Sequence, residues 1–578
     1  MYTICILLAL AQAVPVADSS VQVTWGVRIP MRDGVTLNAT VYAPTNATTP
    51  LPVVFELTPY ISDTYHERGM YFARHGYRFA VVDVRGRGNS GGSAHLMADA
   101  RDGYDIVEWL ARQPWSTGQV AMWGGSYAGE DQWATAKEHP PHLATIVPAA
   151  AAYPGVDFPF YANVFYPYDT QWLTLVSGVT PQDHLFGESA YWIDRFHALY
   201  ARHLPFASLD SVIGNHEPTF HEWLAHPIPD AHWDSLVPTP EQYAAIRIPV
   251  LTITGHYDGD QRGALEYYRR HLHSGAAEHY LIIGPWDHAG TRTPRDEVGG
   301  LKFGPASLVD LPALHVAWYD WTMKGGSKPD FLKKHVAYYL PGTGAEVWKY
   351  ADSLGGIGSH LETLYLGGHA VDAFSSGTLG SQKSSGADHW VYDPMDTRPG
   401  DELEREDIAN STTDQRYALN LYGAGVVYHT APYTEATEIT GWLHLSLWLA
   451  MDVPDADISV TVSEIEPDGR SIALTDAMMR ARYRASPRKE TLVKSGEVQR
   501  YDFNNFRFFS RLIGKGSRLR LVVSSPNSIN VEKNYNSGGV VANESAKDAH
   551  TAHITLYHDA DHPSELEIPV VRSQPVTQ

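Results

Sequence analysis

Two serines stand among glycines in the way expected of a nucleophile: Ser90 in "DVRGRGNSGGS" and Ser126 in "VAMWGGSYAGEDQW". Gly88 and Gly92 give Ser90 the spacing of the hydrolase motif G-x-S-x-G, whereas the glycine after Ser126 is displaced by one position, to Gly129. A nucleophilic serine sits on a sharp turn between a buried strand and a helix whose N-terminus faces the developing oxyanion. Ser126 has that context, with strand-like "VAMW" before it and helix-like "AGEDQWATAKEH" after it. We therefore predict that Ser126 is the nucleophile and that Ser90 belongs to a polar loop.

The segment around Ser90 also contains a G-x-G-x-x-G pattern at Gly86, Gly88 and Gly91. A dinucleotide-binding loop of this type opens a helix at its last glycine and carries an acidic residue about 20 positions later. Here a polar loop follows the last glycine, so the pattern favours a structural turn.

A serine hydroxyl needs a histidine to take its proton and a carboxylate to hold that histidine. In α/β-hydrolases the chain order is serine, acid, histidine, and the last two follow later strands. Asp258 follows the strand-like "VLTIT" and His288 follows "LIIG", which makes them the predicted acid and base among 28 histidines and many acids. Asp287 is poorly placed to bond the ring of its own neighbour, and His256 precedes the acid.

The elements that must position these residues form three blocks. Residues 22–150 and 241–336 alternate strand-like and helix-like runs, which predicts an α/β-hydrolase domain with a mostly parallel sheet. Residues 151–240 interrupt this rhythm and are predicted to form a helical cap. Residues 337–578 contain short runs of period two, which predict a C-terminal β-sandwich of the jelly-roll type.

Composition narrows the classes of partner. The formal net charge is −22, so nucleic acid and anionic membrane surfaces are disfavoured. Residues 1–13 combine an apolar run with a small-x-small site at Ala11–Gln12–Ala13, which predicts a signal peptide and a secreted or periplasmic protein. The single cysteine, Cys5, lies in that segment, so stability is expected to come from packed cores and not from disulfides.

Three short motifs, "GGSYAG", "GHYDGD" and "GPWDHAG", together resemble the catalytic motifs of the cocaine-esterase-like (CocE/NonD) serine hydrolases. The family's nucleophile motif is G-x-S-Y-x-G, so the displaced Gly129 matches it. The resemblance extends to "MRDGVTLNATVYAP" near the start and to "DGRSIALTDAMMRARYR" in the C-terminal part. It implies an oxyanion hole made by the hydroxyl of Tyr60 and the backbone N–H of Tyr127.

The family also includes α-amino-acid ester hydrolases, which hold the substrate amine with a cluster of carboxylates. Asp260 matches the first of these acids, Gln261 stands where the second is expected, and Asp157 loosely matches the acid from the cap. Glu130, on the helix after Ser126, is a further candidate that would add negative potential, but an acid in the first turn of a helix is equally explained by the helix dipole. Aromatic residues of the cap predict either an apolar substrate pocket or a packed cap core; they include Tyr153, Phe158, Phe160, Tyr161 and Trp172.

We therefore expect a serine hydrolase that cleaves small esters, amides or short peptides through an acyl-enzyme and needs no cofactor. An activity like that of α-amino-acid ester hydrolases and acylases is favoured, with an X-Pro dipeptidyl-peptidase as the alternative. A non-catalytic carbohydrate-binding protein is the alternative from another class. No metal site is predicted, because the calcium-loop-like acids Asp455 and Asp457 are followed by Val460 where such a loop needs glycine.

Overall fold

The computed structural model describes residues 20–275, 278–342, 344, 346–358, 360–406 and 408–571. The predicted signal peptide, residues 1–13, lies outside this part of the chain. Within the described residues, no helix combines the length and apolar character that crossing a membrane requires.

The elements follow one another in four segments. The first contains β1 (Val21–Pro30), β2 (Thr36–Pro44), β3 (Leu51–Thr58), α1 (His66–Arg74), β4 (Arg78–Asp83), α2 (Ala100–Ala111), β5 (Ser116–Gly125), α3 (Tyr127–Ala136) and β6 (Leu143–Ala149). The cap contains β7 (Phe160–Tyr161), β8 (Val164–Phe165), α4 (Tyr168–Val176), α5 (Asp183–Phe186), α6 (Ser189–Ala201), α7 (Leu209–Ile213), α8 (Pro218–Leu224), α9 (Ala231–Leu236) and α10 (Pro240–Ala245).

The chain then returns to the first domain with β9 (Val250–Tyr257), α11 (Gln261–His273), β10 (His279–Asp287), β11 (Glu297–Val298), β12 (Leu301–Lys302), α12 (Leu311–Lys324), β13 (Val336–Leu340) and β14 (Val347–Ala351). The C-terminal segment contains β15 (His360–Gly367), β16 (Gly377–Gly380), β17 (Ala387–Tyr392), α13 (Arg398–Leu403), β18 (Gly425–Thr430), β19 (Thr437–Gly441), β20 (His444–Met451), β21 (Asp457–Ile465), β22 (Ser471–Arg480), β23 (Gln499–Phe503), β24 (Phe509–Ile513), β25 (Arg518–Ser524), β26 (Ala552–Tyr557) and β27 (Glu565–Val571).

The hydrolase domain is built on a ten-stranded sheet in the order β1-β2-β4-β3-β5-β6-β9-β10-β13-β14. The strands from β4 to β13 in this order pair in parallel, and β1, β2 and β14 add antiparallel edges. Parallel strands end at the same edge of a sheet, where α/β proteins carry their sites. The residues that follow β3, β5, β9 and β10 therefore meet at one edge.

The end of the hydrolase domain differs from the prediction. β13 pairs in parallel with β10, and β14 turns back antiparallel to β13, so the hydrolase sheet continues to Ala351 and the predicted boundary after residue 336 is too early. β13 is buried along its whole length, as expected of a strand covered on both faces. β14 is exposed or partly exposed along its whole length, as expected of an edge strand.

The C-terminal domain is a mainly antiparallel, 13-stranded β-structure around its own core. Inward and outward residues alternate along β21, as the period-two pattern predicted. The jelly-roll order of the strands stays a prediction. The acids of the calcium-loop-like segment hold arginines instead: Asp455 accepts from Arg482 at 2.8 Å and Asp457 accepts from Arg480 at 2.8 Å.

The cap packs as an aromatic layer over the sheet edge. The ring of Phe158 lies 5.2 Å from that of Trp172 and 5.3 Å from that of Trp223, in edge-to-face contact. Such pairs are favourable beyond the area that they bury. The cap is also tied to the C-terminal domain, because Arg480 donates to the carbonyl of Asn163 at 2.8 Å. The cap thus contacts the C-terminal domain as well as the hydrolase domain.

Candidate active site

Ser126 lies on a strained turn between β5 and α3. Its φ of 63° and ψ of −126° are rarely adopted by a residue with a side chain. The backbone N–H of Ser126 donates to the carbonyl of Ala149 at 2.9 Å, which anchors the turn to β6. This is the strand–turn–helix geometry that exposes a nucleophilic serine at the top of a hydrolase sheet.

The displaced glycine of the motif has a steric reason. A Cβ at Gly129 would lie 2.7 Å from the carbonyl oxygen of Ala149 and 3.0 Å from the Cα of Ala151, both of which are backbone atoms. The position before it carries the buried Ala128, so a methyl group is accommodated there. The first turn of α3 therefore approaches the chain after β6 at Gly129. This contact requires a glycine one position later than in the general hydrolase motif G-x-S-x-G.

Asp258 and His288 meet at the ends of neighbouring strands, β9 and β10. The Nδ1 of His288 lies 2.8 Å from the Oδ1 of Asp258, and the hydroxyl of Thr254 donates to the Oδ2 of the same carboxylate at 2.8 Å. Burial raises the pKa of Asp258, but the interactions with His288 and Thr254 outweigh it and hold this pKa below its usual range. An ionised carboxylate at Nδ1 keeps the proton there, so Nε2 is the nitrogen left to act as the base.

Ser126 and His288 line one cavity of about 210 Å³ beneath the cap. Aromatic and small side chains make up most of its wall, together with one carboxylate. The lining residues are Met97, Ser126, Tyr127, Ala152, Phe158, Tyr168, Trp172, Gly259, Asp260 and His288. The structure thus places the predicted nucleophile and base at one site, with the predicted acid directly behind the base.

Tyr60 follows β3 and points its hydroxyl toward the nucleophile. The indole N–H of Trp172 donates to the Tyr60 oxygen at 3.0 Å. Burial raises the pKa of Tyr60, and hydrogen bonds with Trp172 and Ser126 reduce that rise, so the group remains a neutral phenol. Because Trp172 is a donor only, the Tyr60 proton is left to point at Ser126 or at an oxyanion formed there.

Tyr127 supplies the second predicted oxyanion donor from its backbone. It is the first residue of α3, where helical N–H groups have no acceptor within the helix. Its side chain is held away from that position, because its hydroxyl donates to Asp99 at 2.5 Å and accepts from the N–H of Met97 at 2.7 Å. Its ring stacks on Trp172 with centroids 6.0 Å apart and so forms part of the cavity wall.

The three predicted substrate acids have different positions. Asp260 lines the cavity, with its Oδ2 3.7 Å from the Nδ1 of His288. Asp157 is buried outside the lining, and its two oxygens accept from the N–H groups of Tyr153 at 2.9 Å and Gly263 at 2.5 Å. Glu130 is also fully buried and does not line the cavity. The structure therefore brings Asp260, but neither Asp157 nor Glu130, to the wall of the cavity that Ser126 and His288 line.

Gln261 stands at the position of the expected second acid, and its amide group has a structural role. The Nε2 of Gln261 donates to the carbonyls of Gly255 and Phe508, at 2.9 and 2.8 Å. A carboxylate could not make these bonds, since it has no proton to donate when ionised. Gln261 thus joins the end of β9 to the C-terminal domain instead of facing the cavity.

The alternative residues raised by the sequence have structural partners. Ser90 donates to the carbonyl of Asp83 at 2.7 Å and accepts from the N–H of Asn38 at 2.8 Å. His256 is buried against the carbonyl of Tyr339 at 2.8 Å, and burial lowers its pKa to about 4. Neither residue lines the cavity.

Several site residues were not identified from the sequence. Thr254 lies in β9, four positions before Asp258, and Met97 and Tyr168 reach the cavity from a loop and from the cap. Arg507 donates to the carbonyl of Asp258 at 3.3 Å, although it belongs to the C-terminal domain. A hydroxyl close before the acid could have been noticed in the sequence, but the other three depend on contacts between distant segments.

Comparison with known proteins agrees with this arrangement. Residues 33–290 match the family model of X-Pro dipeptidyl-peptidase (S15 family), and residues 321–567 match that of the X-Pro dipeptidyl-peptidase C-terminal non-catalytic domain. The chain is 28% identical to a cocaine esterase of Rhodococcus sp. (strain MB1 Bresler), over 96% of this chain and 100% of that protein.

Two solved structures are similar in fold. An α-amino acid ester hydrolase has a TM-score of 0.82 at 21% identity and covers 97% of this chain and 99% of its own. An aminopeptidase from a marine sediment archaeon (Thaumarchaeota) has a TM-score of 0.83 at 21% identity, with 97% and 98% covered. Since the matched models span both domains and the nucleophile, base and acid meet at one sheet edge, the chain belongs to the CocE/NonD (cocaine-esterase-like) family of serine hydrolases.

Proposed function

We propose that this serine hydrolase cleaves esters of small α-amino acids, with the substrate amine bound by Asp260. The observation that carries the proposal is the carboxylate of Asp260 on the cavity wall beside Ser126 and His288. Among the described residues, no lysine or arginine lies within salt-bridge distance of this carboxylate; the imidazole of His288 lies 3.7 Å away. A carboxylate without a cationic partner, at the edge of a small cavity, is a fitting site for an ammonium group.

The electrostatics of Asp260 favour an incoming cation. Burial, together with the nearby acids Asp157 and Asp258, raises the pKa of Asp260 well above its usual value, and the charges of Arg292 and Arg507 offset only part of this rise. A bound ammonium would offset this repulsion and promote ionisation of the carboxyl, because an opposite charge nearby favours the charged form. Asp157 then contributes through its field, without touching the substrate.

The remaining wall suits an apolar acyl or leaving group. Phe158, Tyr168 and Trp172 form aromatic surfaces on the cap side of the cavity. A volume of about 210 Å³ matches a small substrate better than a long chain. The solved α-amino acid ester hydrolase of similar fold and the cocaine esterase relative lend support to ester chemistry in a site of this architecture.

The reaction follows from the positions of the catalytic groups. Nε2 of His288 removes the proton of Ser126 as the hydroxyl attacks the substrate carbonyl, and Asp258 stabilises the imidazolium that forms. The Tyr60 hydroxyl and the Tyr127 N–H stabilise the oxyanion. His288 then protonates the departing alcohol or amine, and water repeats the cycle on the acyl-enzyme.

The second candidate, an X-Pro dipeptidyl-peptidase, is favoured by the names of the two matching family models. A dipeptide has its free amine one residue further from the scissile carbonyl than an amino-acid ester has. The position of Asp260 close to His288, within 3.7 Å, favours the shorter substrate.

The two candidates are separated by three substrates tested on the purified protein: phenylalanine methyl ester, its des-amino analogue and an Ala-Pro anilide. We expect the amino ester to have the highest kcat/KM and Asp260→Asn to reduce it to the level of the des-amino ester. Equal rates on the two esters would refute amine recognition, and a preference for the anilide would favour the peptidase. A fluorophosphonate that labels the protein but not Ser126→Ala separates failure of the substrate from failure of the nucleophile.

A further inference from the structure

A cluster of three side chains that could bind a metal ion lies in the cap, outside the catalytic cavity. Asp210 in α7, His216 in the following loop and His221 in α8 each direct one donor atom to a common point. These three atoms, one carboxylate oxygen and two imidazole nitrogens, lie within 4.8 Å of one another. None of the three residues lines the cavity of Ser126, so the mechanism does not use them.

The cluster is buried at its base and open at its top. The Oδ2 of Asp210 lies 2.9 Å from the Nδ1 of His216 and 2.9 Å from the Nε2 of His221. The Asp210 side chain is 1% exposed, whereas those of His216 and His221 are 75% and 41% exposed. An ion can therefore reach the ligands from solvent, while the carboxylate is fixed from below.

The backbone sets this geometry. Gly214 ends α7 with a φ of 85°, and its N–H donates to the carbonyl of Asp210 at 2.9 Å, as does that of Asn215 at 3.0 Å. This left-handed turn brings the chain back over the start of its own helix. The other oxygen of Asp210, Oδ1, accepts from the N–H of Ser211 at 2.6 Å, so the carboxylate has one orientation, with Oδ2 toward the histidines.

We propose that Asp210, His216 and His221 bind a zinc-type divalent ion, with water completing the coordination. Two imidazoles and one carboxylate are a ligand set that suits Zn²⁺ and not Mg²⁺ or Ca²⁺, which prefer oxygen ligands. Tetrahedral zinc bonds of about 2.0–2.1 Å place neighbouring ligand atoms roughly 3.3 Å apart. The two nitrogen–oxygen separations of 2.9 Å need to open only slightly for this, and the exposed imidazoles can turn to do so.

The ion would fasten a loop that supports the catalytic wall. In this loop the side chain of Asn215 donates to Thr174 at 3.2 Å, and Glu217 accepts from Ser177 at 2.8 Å. Thr174 belongs to α4, the helix that also carries Trp172, and Ser177 directly follows it. The site is thus structural, and its occupation stabilises the cap.

The test uses the full-length protein after treatment with a chelator. Zn²⁺ is titrated in competition with a chromophoric chelator, and the thermal midpoint is measured with added Zn²⁺, Mg²⁺ or Ca²⁺. We expect one Zn²⁺ per chain and a midpoint that rises with Zn²⁺ alone, since an ion that binds the folded state stabilises it by mass action. His216→Ala and His221→Ala should each weaken binding by more than about tenfold.

His226→Ala is the matched control, because His226 also pairs with a cap aspartate, Asp230, at 2.7 Å. It should bind Zn²⁺ as the parent does. Because His216 and His221 are exposed, their alanine variants should fold, and hydrolysis of the ester substrate by each variant verifies this. The proposal is overturned if the parent binds no stoichiometric Zn²⁺, if either ligand variant keeps the parent's affinity, or if His226→Ala loses binding to the same extent.

Discussion

Removal of the Tyr60 hydroxyl directly tests its predicted role as a donor to the oxyanion. In Tyr60→Phe the ring keeps its packing, but the oxyanion loses a donor and the indole N–H of Trp172 loses its acceptor at 3.0 Å. The first loss acts on the transition state and the second on the folded state. The two effects can therefore be measured separately in one variant.

The expected magnitudes follow from these contacts. Loss of one oxyanion donor lowers kcat by about 10²–10³-fold, or roughly 3–4 kcal/mol. Trp172 is 4% exposed. A buried N–H left without a partner costs about 1–3 kcal/mol of folding free energy. Because the oxyanion forms only during the reaction, kcat and kcat/KM should fall together, with little change in KM.

Trp172→Phe is the complementary variant. It removes the indole donor but leaves the Tyr60 proton available to the oxyanion, so its kcat should fall far less than that of Tyr60→Phe. In the double variant Tyr60→Phe/Trp172→Phe neither polar partner remains. The destabilisation should then be less than the sum of the two single changes, by about 0.5–3 kcal/mol.

The assay combines steady-state hydrolysis of a chromogenic ester, active-site titration with a fluorophosphonate, and urea unfolding. Titration corrects kcat for the fraction of folded enzyme. If titrated Tyr60→Phe keeps kcat within about threefold of the parent, Tyr60 is not an oxyanion donor. Strict additivity of the two stability changes would refute the hydrogen bond between Tyr60 and Trp172.

Three further predictions follow from the same structure. Burial beside Asp157 and Asp258 raises the pKa of Asp260 above the ordinary value of 3.8. The ratio of kcat/KM for an amino ester to kcat/KM for its des-amino analogue should therefore increase as the pH rises above 3.8 and the carboxyl ionises. A ratio that does not change with pH in the parent, or an unchanged increase in Asp260→Asn, would contradict this. Burial raises the pKa of Glu130, so the folded state keeps a proton that the unfolded chain releases above pH 4.5, and stability should fall there as pH rises. Glu130→Gln should weaken that dependence in urea unfolding while the amine preference stays, and an unchanged pH dependence would refute the assignment. Gly129→Ala should lower the free energy of unfolding by about 1–3 kcal/mol, because the added methyl group overpacks against the chain after β6. Ala128→Gly is the control, and an unchanged free energy of unfolding in Gly129→Ala would count against the contact.

The three residues predicted to be catalytic could be proposed from the sequence because their signal is local. Ser126, Asp258 and His288 each follow a strand whose apolar run can be read directly, and the chain order is that of an α/β-hydrolase. Since β5, β9 and β10 pair within one parallel set, their C-terminal ends meet at one edge. The hydrolase assignment also excludes the non-catalytic alternative that the sequence left open.

The surroundings of these residues were less predictable. Asp157 and Gln261 were assigned by their place in a motif, but their partners are backbone groups supplied by distant segments, at Gly263 and Phe508. The end of the hydrolase sheet was placed too early, because β13 and β14 form an antiparallel hairpin like those of the next domain, and only the pairing of β13 with the distant β10 places them in the hydrolase sheet. In both cases the deciding contact lies far away in the chain.

The amino-acid sequence alone indicated serine-hydrolase chemistry, the chain order of the predicted catalytic residues and the turn that carries Ser126, because these depend on residue types within one strand and its loop. Which acid lines the cavity was decided by the tertiary structure. Asp260 and Asp157 have the same side chain, yet one lines the cavity while the other accepts hydrogen bonds from two buried N–H groups. A carboxylate becomes a binding group or a structural one according to the donors that folding places around it.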